Sequence, residues 1–235
     1  MNLSHTLSVD AEPYAFELIP SACALVIIDM QRDFLEPGGF GESLGNDVSQ
    51  LRRTIGPNQK LLTAWRELGL TVIHTREGHR ADLNDLPVSK KVRGRTKITI
   101  GDVGPMGRLL VRGEAGHDFI PELYPQAGEL VIDKPGKGAF FATELQALLQ
   151  SRSLRQLIVT GVTTEVCVHT TVREANDRGY DCLVPSDCVA SYFPEFQAAG
   201  LAMIKAQGGI FGWVTHSSSL LAALHGSGTK TPTRP

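Results

Sequence analysis

The chain has 235 residues, with 23 Lys plus Arg against 25 Asp plus Glu, a net charge of −2, and 42% hydrophobic residues. That composition suits one globular domain, which buries about 70% of its unfolded surface and needs no disulfide or metal to hold a core. The near-neutral charge excludes a nucleic-acid footprint, and no apolar run reaches the roughly 18 residues of a membrane span. Met1 to Ala11 lacks the basic start and apolar centre of a signal peptide, so the reading is a cytoplasmic protein.

In chain order, residues 1–20 form an N-terminal extension. Six short apolar runs then read as strands: 24–29, 70–75, 129–133, 156–161, 181–186 and 209–214. Continuous apolar runs fit strands covered on both faces, as in a parallel sheet. Between them, 58–68, 143–151, 167–178, 194–207 and 217–224 carry helical spacing; Leu61, Leu62, Trp65 and Leu68 make the clearest stripe. This alternation predicts an α/β three-layer sandwich, whose sites form at the carboxyl ends of strands near the switch in strand order. Residues 76–127 break the rhythm with Gly, Pro and charge, and a stretch that long is usually functional. Residues 226–235 read as a disordered tail, leaving 21–225 as the domain.

The four cysteines, Cys23, Cys167, Cys182 and Cys188, have irregular spacing and no CxxC pair. They therefore imply neither a disulfide framework nor a zinc finger. Nucleotide motifs fail: Asp29-Met30-Gln31 stands where a GxGxxG would follow the first strand, and Lys134-Pro135-Gly136-Lys137-Gly138 lacks the Walker pattern. His74 and His79 have no third ligand at a familiar spacing, so no metal and no cofactor is expected.

Three residues at strand ends are chemically coherent. Asp29 ends the first strand, Lys134 follows the third, and Cys167 opens the helix after the fourth. A helix N-terminus and an ammonium both favour a thiolate, and a carboxylate can take the thiol proton and return it to a leaving amine. Backbone N–H groups before the helix would hold an oxyanion. Each residue also has a purely structural use: Asp29 as a turn residue, Lys134 as a solvated charge, Cys167 as a small buried hydrophobe.

Three segments then carry a family resemblance. Ala24-Leu25-Val26-Ile27-Ile28-Asp29-Met30-Gln31-Arg32-Asp33-Phe34, Asp133-Lys134-Pro135 with Gly138-Ala139-Phe140, and Gly161-Val162-Thr163-Thr164-Glu165-Val166-Cys167-Val168 resemble, in order, the isochorismatase-like cysteine hydrolases. The likeness spans about residues 20–225. It implies a Rossmann-like fold with a six-stranded, mostly parallel sheet, and a homo-oligomer, commonly a tetramer. It assigns Asp29 as base, Lys134 as support for the thiolate and transition state, and Cys167 as nucleophile. It also implies a cis peptide at Val162–Thr163 and an oxyanion hole from the amides of Thr163 and Cys167. His74-Thr75-Arg76-Glu77-Gly78-His79 lacks the Asp-x-His metal pattern of nicotinamidases, and Cys167 speaks against an isochorismate substrate.

Segments 74–80, 112–114, 120–125, 133–138 and 207–209 resemble the branch of that family that hydrolyses biuret. That likeness carries over Gln207 as a substrate contact able to donate and accept hydrogen bonds. Arg76, Glu77 and Phe34 are further candidates near strand ends. Lys137 reads as solvated, and His169, two residues past Cys167, faces away from the thiol. The expectation is hydrolysis of a carbamoyl C–N bond in a small ureido compound, foremost biuret to allophanate and ammonia. Triuret, ureidoacrylate, N-carbamoylsarcosine and nicotinamide, or a catalytically silent binding protein, are the alternatives.

Overall fold

A computed structural model describes residues 5–91 and 98–226. Its main sheet contains β1 (Cys23–Ile28), β2 (Thr71–Glu77), β3 (Leu130–Lys134), β4 (Gln156–Val162), β5 (Asp181–Pro185), β6 (Val189–Ala190) and β7 (Trp213–Thr215). Six strands run in the order β7-β5-β4-β1-β2-β3, all parallel, and the two-residue β6 pairs with β4 as a seventh. The fold is the α/β architecture expected from the sequence. The expected tail lies outside the described residues, apart from Gly226, which closes a helix.

The alternation of side chains along β1 explains the layers. Leu25 and Ile27 face one core with Leu61, Leu62 and Trp65 of α1 (Ile55–Glu67), whereas Ala24, Val26 and Ile28 face another. The second core takes Leu145 and Leu149 of α2 (Leu145–Ser151), Val172 of α3 (His169–Asn176) and Ile204 of α4 (Pro194–Gly209). Leu220 and Leu224 of α5 (Ser217–Gly226) close the first face. Both faces of β1 are thus dry, which is why the strand reads as an unbroken apolar run. Val9, Phe16 and Leu18 of the N-terminal hairpin enter the first core, so the extension is part of the packed domain.

Two sequence expectations shift. The run 209–214 becomes a strand only at Trp213, because Gln207, Gly208 and Gly209 take positive φ (52°, 78° and 89°) at the kinked end of α4. The helix expected from residue 167 starts at His169, and Thr164–Val168 form a wider π turn ahead of it.

The order in which strands are added reverses across the parallel β1–β4 pair: β2 and β3 extend to one side of β1, and β4, β5 and β7 to the other. Ile28 lies opposite Gly161 there. Gly161 has φ 99°, and a Cβ on it would sit 2.0 Å from the Ile28 carbonyl oxygen, so only glycine fits. Among the described residues, no helix is long and apolar enough to cross a membrane.

Candidate active site

Asp29 follows β1 with φ 50°, a left-handed conformation that Asp tolerates better than most residues. Its backbone N–H donates to the Thr75 carbonyl at 3.2 Å, and the Thr75 hydroxyl donates to Asp29 Oδ1 at 2.6 Å. The other oxygen, Oδ2, lies 2.7 Å from Lys134 Nζ. Lys134 ends β3 fully buried, and its ammonium also donates to the carbonyls of Gly136 (3.0 Å) and Lys137 (2.9 Å). Three donors meet three acceptors, so the buried charge is held in one place.

Cys167 sits in the π turn, buried, with Sγ donating to Glu77 Oε2 at 3.3 Å. Glu77, at the end of β2, pairs through Oε1 with Lys137 Nζ at 2.6 Å, and its Oε2 is 3.8 Å from Lys134 Nζ. The peptide joining Val162 to Thr163, just upstream of the turn, is cis.

Burial and charge set the protonation states. Burial pushes the Cys167 thiol well up, against the pull of Lys134, so the resting group is a thiol. Burial also raises Asp29, although Lys134 opposes it. For Glu77 burial pushes upward too, but Lys134 and Lys137 outweigh it and keep the carboxyl ionised. Burial alone would discharge Lys134; Asp29, Cys167 and Glu77 hold it protonated instead. Ligand-type atoms of Asp29, Glu77 and Cys167 lie within 4.8 Å of one another. The Lys134 ammonium already stands against two of these groups, which makes the cluster an ion-pair network rather than an open cation site.

A cavity of about 200 Å³ opens onto the thiol. Phe34, Phe40, Leu44, Val166, Tyr192 and Phe193 wall it, with Glu77, Lys137, Glu165 and Cys167 as its polar groups. The Tyr192 hydroxyl donates to the Phe34 carbonyl at 2.8 Å and ties two walls together.

The structure brings together Asp29, Lys134, Cys167 and Glu77, and it puts Phe34 and Thr163 on the cavity wall. Two expected contacts lie elsewhere. Arg76 points to the opposite side of β2 from Glu77, because neighbours on a strand alternate. Its guanidinium grips Asp133 (2.7 and 3.1 Å) and stacks on Phe119. Gln207 is exposed at the far end of α4, which starts beside the cavity at Phe193 and runs to the amino edge of the sheet. It does not line this cavity. Lys137, read as solvated, is instead drawn in by Glu77. Thr75, Glu165 and Tyr192 were not anticipated. Thr75 shares a strand face with Glu77, a period-two relation visible in the sequence; Tyr192 left no local signal. His169 turns away from the thiol, accepting from Arg173 at 3.0 Å.

The profile of the isochorismatase domain family matches residues 23–218. Ureidoacrylate amidohydrolase RutB of Serratia proteamaculans is 31% identical across 93% of this chain and 89% of its own length. A cysteine hydrolase from Pseudomonas syringae pv. phaseolicola superposes with a TM-score of 0.74 at 26% identity, covering 89% of this chain and 95% of that one. An isochorismatase family protein from Desulfovibrio vulgaris gives 0.70 at 28% identity, covering 87% and 98%. The chain belongs to the isochorismatase family.

Proposed function

We propose that this isochorismatase-family amidohydrolase cleaves a carbamoyl C–N bond with Cys167 as nucleophile, and that its substrate is biuret. The observation that carries the reading is the buried Asp29–Lys134 pair beside a thiol that faces a cavity. A general base works best when its pKa lies near the working pH. Asp29, raised by burial, suits that task, whereas Glu77, held low by two lysines, suits an acceptor that aims the thiol.

In the proposed reaction Asp29 takes the thiol proton and Lys134 stabilises the thiolate. Sulfur bonds to the carbamoyl carbon, and the carbonyl electrons move to oxygen, held by the amides of Thr163 and Cys167. Collapse breaks the C–N bond, and ammonia leaves with the proton from Asp29. Water then attacks the S-acyl carbon, the C–S bond breaks, and allophanate leaves as the thiol regains a proton. No step calls for a cofactor.

The protein acts on this reading as a cytoplasmic homotetramer. All four cysteines are free, as a reducing compartment maintains. Phe193, Phe196, Met203 and Ile210, the last at the end of α4, expose apolar surface that a second copy would cover.

Ammonia release from biuret, triuret, ureidoacrylate, N-carbamoylsarcosine and nicotinamide, with and without chelator, tests the proposal. Chelator-insensitive turnover of biuret above the others supports it; turnover that survives Cys167→Ala refutes it. Ureidoacrylate is the second reading, favoured by the RutB relative.

A further inference from the structure

The cavity's two carboxylates are not equivalent. Glu77 is neutralised by Lys137 at 2.6 Å. Glu165 has no cation within ion-pair distance among the described residues, and its Oε2 is buried without a hydrogen-bond partner. A buried, unmet acceptor is costly and calls for a donor. Glu165 stands two residues before Cys167 in the same π turn, so it borders the space where the part of a substrate beyond the reacting carbonyl would lie. The nearest walls are aromatic or aliphatic, and the Tyr192 hydroxyl is spent on the Phe34 carbonyl. Thr163 and Lys137 are the other polar side chains on the wall besides the thiol and Glu77.

We propose that Glu165 is a specificity-determining residue that accepts a hydrogen bond from an N–H at the distal end of the substrate and repels a carboxylate there. The inference rests on the amidohydrolase reading above and narrows it. The enzyme takes neutral ureido amides that end in NH2 and rejects ureido acids of similar length. With Lys134 matched by Asp29, and Lys137 by Glu77, Glu165 is the carboxylate on the cavity wall that no cation pairs with. A second carboxylate brought beside Glu165 would meet a like charge.

The test compares kcat and KM for biuret and ureidoacrylate in wild type, Glu165→Gln and Glu165→Ala, with iodoacetamide alkylation of Cys167 and thermal unfolding as controls for an intact site. We expect wild type to favour biuret. In both variants the biuret-to-ureidoacrylate ratio of kcat/KM should fall by about tenfold or more, mainly through KM, with alkylation unchanged. A ratio constant within about twofold in variants with normal alkylation overturns the assignment of Glu165 while leaving the amidohydrolase reading in place. A wild-type preference for ureidoacrylate overturns it as well. Absence of turnover of both substrates by wild type defeats the parent reading, and this inference with it.

Discussion

The thiol of Cys167 points at Glu77, 3.3 Å from Sγ to Oε2, and not at Asp29, whose two oxygens are engaged by Thr75 and Lys134. One carboxylate therefore aims the nucleophile and the other is held ready for its proton. Glu77→Gln should separate these jobs. Removing the negative charge eases ionisation of the thiol, so iodoacetamide should label Cys167 faster near neutral pH, while kcat falls roughly 10- to 100-fold from lost aim. Slower labelling together with unchanged kcat would contradict the division.

Lys134→Met should unfold readily, because it leaves Asp29 buried with no counter-charge. Loss of one partner of a buried pair costs about 3–5 kcal/mol. Urea denaturation reads the loss. The double variant Lys134→Met/Asp29→Leu should recover much of it without recovering turnover, since both charges leave the core together.

Arg76→Ala should lower stability by about 1 kcal/mol through its pair with Asp133, which is partly exposed to water. Its kcat/KM should stay within about threefold of wild type. Gln207→Ala should be silent in a single chain's site; a large rise in KM there would mean that a neighbouring copy brings this residue to the cavity.

Acid stability should depend on His117. Burial, with Arg76 and Arg112 nearby, lowers its pKa to about 4 despite Asp133 and Asp118. The unfolded chain takes up a proton near pH 6.5, while the folded one resists until about pH 4. The stabilisation is therefore complete above pH 6.5 and drains away as pH falls toward 4. Urea midpoints measured from pH 7 to 4 should drop, and the slope should be shallower in His117→Gln. A pH-independent midpoint in wild type would contradict this.

Much of this arrangement was legible in the sequence. The unbroken apolar run of β1 fixed a doubly covered strand, and the carboxylate closing it lay where a parallel sheet places chemistry. What the sequence could not convey was pairing at a distance. Arg76 and Glu77 are adjacent charges of similar promise, and only the strand's alternation, with Asp133 waiting on one side and Lys137 on the other, sends one to a structural bridge and the other to the thiol. Gln207 lies off the cavity wall for a related reason. Its segment reads like a family motif, yet α4 spans the full depth of the sheet and carries it to the opposite edge.

The interlocked ions beneath the cavity, Asp29, Glu77 and Lys134, hang from sheet ends, while Phe40, Leu44, Tyr192 and Phe193 on its wall come from connecting segments. The two can therefore change independently. Exchanging wall residues would retune which amide is accepted without disturbing the interlocked ions beneath. A scaffold divided in this way can pass one hydrolytic reaction among many small nitrogenous compounds, and an engineer seeking a new substrate would begin with the walls.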